Sequence, residues 1–412
     1  MYFLYNILTN LILIISPFFF IFRVFKSKED PKRILEKFCI YSKKSIKNKV
    51  WIHAASVGEL MSIVPIIKKF EKDEKVNSII LTTTTTSSAK LFKKLKFKKT
   101  FHIYFPLDNN YLTLRFLKYW QPKLAIFVDS EIWPNMFKNL EINQVPIIIL
   151  NARITKKTFN KWQIFPKFAE EVFSKISLAL PSNFETIKYL KLLNVKNIKA
   201  AGNLKYYGEN KVSNNMDKFL KKKFENFKIW CAASTHENEE IFIAKLHKNL
   251  KKKYKKFITI VIPRHINRTS RIMDDMEQLG LKTIVHSSKQ EPKIDTDIYL
   301  VDSYGLSSKF YNLSNITFMG GSLIKHGGQN PLESARLGNF IINGPNVDNF
   351  KEIYSFLFRN KISSTTSSIS KMKQIIIKKI NQKNNKENII KIRKIGNRIL
   401  DKNIFYITKY LK

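Results

Sequence analysis

The chain has 412 residues, with 73 Lys or Arg against 32 Asp or Glu, a formal net charge of +41. That length allows two domains with separate cores, and an apolar fraction of 44% excludes a chain that stays disordered. Only two cysteines occur, Cys39 and Cys231, far apart in sequence; this excludes a disulfide framework and a cysteine-built metal site and fits a reducing compartment.

Residues 1–25 are almost wholly apolar, with no charge before Arg23, and are long enough to cross a bilayer core. The charges follow the apolar run (Arg23, Lys26, Lys28, Lys32, Arg33) and no Ala-x-Ala site is present, so the segment reads as a retained membrane anchor rather than a cleaved signal peptide. By the positive-inside tendency the bulk of the chain is expected to stay in the cytoplasm. Asn6, Thr9, Asn10 and Pro17 interrupt the run, which leaves open a helix lying in the membrane interface. The positive charge suits an anionic membrane surface or acidic lipid, each juxtamembrane Lys or Arg adding about 1 kcal/mol. Abundant Lys, Ile and Asn, as an AT-rich genome produces, inflate it. No helix-turn-helix, ribonucleoprotein or zinc-finger signature is present, so no nucleic-acid partner is expected.

From residue 50 onward, short apolar runs alternate with longer amphipathic stretches. Residues 50–53, 79–83, 124–128 and 145–150 read as buried strands, and 60–70 and 111–119 as helices. The pattern lapses into Lys- and Asn-rich sequence and restarts with strands at 229–233, 257–262, 282–285, 298–301, 316–319 and 340–342. Such alternation predicts an α/β fold of two Rossmann-like domains with parallel sheets. The expected organisation is an anchor over 1–25, domains over 26–206 and 227–380 joined by a linker over 207–226, and a helical tail over 381–412.

Ligands of open α/β sheets bind beyond the carboxyl ends of the strands, so the segments after each strand carry the search. His53-Ala54-Ala55-Ser56-Val57-Gly58-Glu59 follows the first strand; Glu59 is either a proton acceptor facing the crevice or the N3 partner of a Ser56–Glu59 capping box, and local physics favours the cap. Threonines 82–86 end a strand and open a helix, with hydroxyls able to face the crevice. Asp129, Ser130 and Glu131 precede a Trp133-Pro134 corner, Arg153 follows the next strand, and Lys205 follows a turn at Gly202. In the second half, Ser234 and Thr235 end a strand, Ser234-x-x-Glu237 reads as a second capping box, and the helix start behind it suits a phosphate. Arg264 and His265 end the next strand, and Tyr304, Gly305 and Leu306 follow another. The densest segment runs from Gly320 and Gly321 through Gly327 and Gly328 to Asn330, Pro331, Leu332 and Glu333. Its glycine pairs point to a close backbone approach, with Asn330 as N-cap, Pro331 at N1, and Glu333 at N3 as a cap, a ribose ligand or both. His102 and His247 read as ordinary surface or half-buried residues. No metal-ligand spacing and no GxxxxGK[ST] loop is present.

Read in order, WIHAASVGE, VDSEIWPN, NARIT, GNLKY, ASTHENEE, PRH, GGSLIKHGGQNPLE and GPN-x-x-NF resemble the 3-deoxy-D-manno-octulosonic acid (Kdo) transferases, over roughly residues 30–350. The resemblance implies a GT-B architecture, with two Rossmann-like domains facing a central cleft and an N-terminal membrane anchor. It implies inverting transfer of Kdo from CMP-Kdo to the lipid A precursor, in lipopolysaccharide core synthesis. The front domain would bind the acceptor, with Glu59 as general base and Glu131 and Lys205 as supporting polar residues. The rear domain would bind CMP through Arg264, His265, Tyr304, Gly305, Leu306, Asn330, Pro331, Leu332 and Glu333. Ser234, Thr235, Gly320 and Gly321 complete the expected donor set. No metal and no cofactor beyond the donor substrate is expected. The competing expectations are a membrane GT-B enzyme using a UDP-sugar and a lipid-linked acceptor, and a tethered binding protein without catalysis.

Overall fold

The computed structural model of the protein describes residues 1–42, 49–208, 220–382 and 386–411. The chain divides into two units, Met1–Tyr207 with Gly396–Lys412, and Gly208–Ile395. Most of the linker expected over 207–226 lies outside the described residues, as do 383–385 and 412 of the expected tail.

The first unit is built on a six-stranded parallel sheet. Its strands are β1 (Lys49–His53), β2 (Ser78–Thr83), β3 (Thr100–Tyr104), β4 (Pro122–Val128), β5 (Ile147–Ala152) and β6 (Leu178–Pro181), in the order β3-β2-β1-β4-β5-β6. The runs Ile79 to Leu81 and Leu124 to Val128 are wholly buried, which is why they read as continuous apolar sequence. Chain order reverses direction at β1, whose neighbours are β2 and β4, so the crevice of this sheet opens beyond the ends of β1 and β4. Helices Val57–Phe70 and Pro134–Ile142 leave from those ends. The final helix, Lys386–Thr408, returns to this unit, where Leu400 and Ile407 join its core.

The N-terminal helix Tyr2–Phe25 lies on the first unit. Tyr2, Tyr5, Thr9, Leu13, Ser16 and Phe20, at spacings of three and four, form its inward stripe, while Phe3, Ile14, Phe18, Phe22 and Phe25 face outward. Two of the polar residues that break the apolar run bond to the first unit: Asn10 Oδ1 accepts from Asn109 Nδ2 at 2.7 Å, and Thr9 Oγ1 from Asn135 Nδ2 at 3.4 Å. Pro17 has no N–H to give the Leu13 carbonyl, and the Ser16 hydroxyl donates to that oxygen at 2.8 Å instead. Beyond the helix, Glu29 joins Arg23 and Lys37, each at 2.8 Å, with its carboxylate buried.

The second unit holds a seven-stranded parallel sheet in the order β13-β12-β11-β7-β8-β10-β9. The strands are β7 (Lys228–Thr235), β8 (Phe257–Pro263), β9 (Thr283–Val285), β10 (Ile298–Leu300), β11 (Ile316–Met319), β12 (Phe340–Asn343) and β13 (Ser363–Thr365). Here the reversal lies at β7, between β8 and β11. The three strands absent from the sequence reading, β3, β6 and β13, are all sheet edges. β3 and β13 mix polar residues into the run by which a central strand is recognised, whereas β6 is wholly apolar and buried. His102 and His247, expected at or near the surface, are both buried: His102 bonds Thr83 Oγ1 at 2.8 Å, and His247 bonds Thr259 Oγ1 at 2.9 Å and Asp297 at 3.2 Å.

Candidate active site

In the first unit, the ends of β1, β2, β4 and β5 gather the acidic residues singled out in the sequence. Ser56 is the N-cap of helix Val57–Phe70 and its oxygen accepts from Glu59 N at 3.3 Å. The Glu59 carboxylate turns back, accepting from Ala55 N at 2.7 Å and Ser56 Oγ at 2.9 Å. The capping box therefore forms, and it aims the carboxylate rather than consuming it. Glu59 stays part-exposed. Burial foremost, and then the charge of Glu131, push its carboxyl up to about 7, against the pull of the Ser56 and Ala55 donors.

Glu131 is held from below. Its Oε2 lies 3.2 Å from His53 Nε2 and 3.0 Å from Trp133 Nε1. His53 is fully buried at the end of β1, its ring centroid 3.9 Å from that of Phe105, and its Nδ1 lies 2.9 Å from Thr82 Oγ1. Thr82 Oγ1 in turn accepts from Trp51 Nε1 at 2.9 Å. Toward a carboxylate, which only accepts, the His53 Nε2–H is the donor, while Nδ1 also lies 3.3 Å from the Thr82 carbonyl oxygen. Beside it, Asp129 (φ +63°) accepts from Asn151 Nδ2 at 3.4 Å and lies 4.0 Å from Lys205 Nζ. Burial pushes the Asp129 carboxyl up, with Lys205 and then Arg153 opposing. Asn151 Oδ1 fixes Leu204 N at 3.0 Å, which places Lys205 on this rim. Glu59, Glu131 and Lys205 therefore lie at one sheet edge. The threonine hydroxyls expected at the crevice include Thr82, which here supports His53, while His53 and Trp133 had no assigned role; a histidine in the last strand position, directed at the switch point, was the available signal.

In the second unit, the ends of β7, β8 and β11 meet. Gly320 N donates to Ala233 O at 2.8 Å, and Arg264 N to Thr235 O at 3.0 Å, so Ser234, Thr235, Arg264, His265, Gly320 and Gly321 share one edge. The close approach at Gly320 is to the chain itself: a Cβ there would stand 2.3 Å from Ser234 O. The capping box read at Ser234–Glu237 does not form. Ser234 is still in β7, Asn238 takes φ +74°, and the helix begins at Glu239. A helix start four residues later swaps the acidic residue that faces the sheet. Glu237 points to solvent and pairs with Arg271, while buried Glu239 accepts from the amides of His236, Gly321, Ser322 and Leu323 at 2.7–3.0 Å.

His236, missed in the sequence, sits under this loop. Its ring centroid is 4.3 Å from that of His326 and 6.0 Å from that of His265. Nδ1 donates to Ser234 O at 3.0 Å, which leaves Nε2 a bare acceptor; this atom and Thr235 Oγ1 are buried without a partner among the described residues. Burial, then the neighbouring His326, lower the ring to about 4, so it stays neutral. The 330–336 region differs by one position from expectation: Pro331 is the N-cap of the short helix Leu332–Arg336, and Asn330 Oδ1 accepts from Leu332 N at 3.1 Å. Proline has no N–H to satisfy, so the asparagine caps from one place earlier. Glu333 is exposed, whereas Leu332 is fully buried and its side chain serves the core. Tyr304, Gly305 and Leu306 follow β10, two strands from β7, with the Tyr304 ring largely exposed. No hydrogen bond joins them to the β7–β11 group among the described residues.

Comparison with known proteins gives these arrangements a context. A family model described as 3-deoxy-D-manno-octulosonic-acid transferase (kdotransferase) matches residues 32–208. The 3-deoxy-D-manno-octulosonic acid transferase of Rickettsia bellii is 31% identical, over 99% of this chain and 99% of its own. That of Haemophilus influenzae is 30% identical, over 92% of each. The crystal structure of a glycosyltransferase from Rickettsia africae matches with a TM-score of 0.56 at 14% identity, covering 90% of this chain and all of that one, a likeness of fold alone.

Proposed function

The chain belongs to the 3-deoxy-D-manno-octulosonic acid transferase family, and from that premise we propose that it transfers Kdo from CMP-Kdo to the lipid A precursor, lipid IVA, with inversion. The observation that carries this reading is the Glu59 carboxylate, fixed at the β1–β4 switch point and raised to about 7. A base of that strength is half ionised near neutral pH and takes a proton as the acceptor hydroxyl attacks. The hydroxyl oxygen bonds to the anomeric carbon, the bond from that carbon to the CMP phosphate breaks, and the hydroxyl proton passes to Glu59. The departing phosphate keeps the electron pair, so it requires cations and N–H donors rather than an acid. Arg264 and His265 at the end of β8 suit that charge, and Lys205 suits the acceptor side.

The reading calls for no metal, since a phosphate leaving group is already anionic and Arg264 offsets its growing charge. On location, the docked helix Tyr2–Phe25 supports an in-plane anchor, its inward stripe on the first unit and its aliphatic and Phe side in the lipid. The basic residues that follow it, and the free, buried Cys39 and Cys231, favour the cytoplasmic face of the inner membrane. The test is incubation of the full chain in vesicles with CMP-Kdo and a tetraacylated lipid A precursor. The product mass should rise by one or more Kdo increments, and absence of any increment rejects the reading.

A further inference from the structure

The inward stripe of the N-terminal helix ends on the loop that carries Glu131. Helix Pro134–Ile142 starts at Trp133, which offers its own helix no side-chain cap. The open amides of Asn135 and Met136 are taken instead by Asp108, at 3.2 Å (Oδ2) and 2.8 Å (Oδ1), from a buried position in another loop. The third bond to that carboxylate comes from the N-terminal helix, where Tyr5 Oη donates to Asp108 Oδ2 at 2.7 Å. One turn earlier, Tyr2 Oη donates to Pro134 O at 3.2 Å, and one turn later Thr9 Oγ1 accepts from Asn135 Nδ2. Tyr2, Tyr5 and Thr9 thus hold residues 134 and 135 directly or through Asp108. These follow Trp133, whose indole N–H holds Glu131.

We propose that the membrane helix is a working part of the active site, with Tyr5 as a positioning residue that sets Glu131 through Asp108 and the start of helix Pro134–Ile142. A simple tether would need only an apolar outer face. This helix directs Tyr2, Tyr5, Thr9 and Asn10 at two joined segments, 108–109 and 134–135, and the second of these follows directly on the loop that bears Glu131, a carboxylate of the candidate reaction centre. The inference rests on the reading of Glu131 as part of that centre. It predicts that the helix governs turnover as well as attachment.

Tyr5→Phe isolates the point, because it removes one hydroxyl and leaves the ring beside Phe168, 5.8 Å between centroids. Tyr111→Phe, at an exposed tyrosine, is the matched control and should behave as wild type. In detergent with saturating CMP-Kdo and lipid acceptor, Tyr5→Phe should lower kcat about tenfold, the scale of one hydrogen bond to a charged group. KM for the lipid and binding to anionic vesicles should not change. Wild-type kcat in Tyr5→Phe, or a loss that follows vesicle binding, overturns the proposal. Amide hydrogen exchange at Asn135 and Met136 gives a readout independent of turnover. It should quicken in Tyr5→Phe; unchanged exchange overturns the placement even if the wild type transfers no Kdo, a result that would sink the reaction reading alone.

Discussion

Glu59 and Glu239 each stand at the start of the helix that follows the first strand of their sheet, and the two carboxylates have opposite fates. Glu59 accepts only from its own cap, stays part-exposed, and is pushed up to about 7 by burial and then by Glu131. Glu239 is buried and accepts four backbone N–H groups, three of them from the loop after β11. A carboxylate that satisfies four amides has no lone pair left for a substrate. One held by its own helix start, beside a second carboxylate, is poised to take a proton. Position in the fold is shared; what the next strand presents decides whether the carboxylate stays part-exposed or holds a loop.

The largest separation is expected when each is altered in turn. Glu59→Gln keeps the shape and an acceptor for the cap but removes the base, so kcat should fall about 10³-fold with an unchanged fold, by mass-resolved transfer assay and circular dichroism. Wild-type turnover in that variant removes Glu59 from the mechanism. Glu239→Ala should do the reverse, leaving four buried amides without their acceptor. Denaturant unfolding of the second unit should show a loss of about 3 kcal/mol or more, each orphaned donor costing about 1–3 and the set not adding in full. A Glu239→Ala protein of normal stability would mean that the loop after β11 is held by its glycine geometry alone.

How far the sequence disclosed these roles depends on where each interaction lies along the chain. Central strands, bounded by turn residues and buried on both faces, were legible, as was the placement of Glu59, Glu131 and Lys205 beyond their ends. The Ser56–Glu59 box was legible too, because its partners are three residues apart. The second box was misread: Ser234-x-x-Glu237 has the same spacing, but the N-cap is Asn238, in a left-handed turn, and the helix starts four residues later. Nothing in Glu239's neighbours along the chain announces that its partners are Gly321, Ser322 and Leu323. Likewise, Thr9 and Asn10 read as interruptions of a membrane span, whereas their partners are Asn135 and Asn109. Pattern conveys periodicity and local caps; it does not convey which distant group a side chain meets.

His53 acts on Glu131, its Nε2 lying 3.2 Å from Oε2. His53→Phe removes the N–H that faces Oε2 and breaks the chain from Trp51 through Thr82, so kcat should fall about 30-fold, roughly 2 kcal/mol for a hydrogen bond to a charged group. His53→Gln, whose amide can still donate to Oε2, should recover part of that loss. Equal losses in the two variants would show that His53 matters only by filling space beside Phe105.

The smallest expected effect is also the one that tests the pairing of the acids themselves. With Glu59 raised from 4.5 to about 7, kcat should climb through an ascending limb near pH 7, because the base must be ionised. The charge of Glu131 contributes to that rise, after burial. Glu131→Gln removes it and should move the limb to lower pH, whatever it does to the plateau. Stability runs the other way. A carboxyl raised in the folded state favours folding below pH 4.5 and loses that contribution as pH rises through 7. The wild type should therefore lose stability across this window, and Glu59→Gln, which does not ionise there, should lose less. If the limb stays in place in Glu131→Gln, the two carboxylates do not share a field, and the resemblance between the switch points of the two units ends at topology.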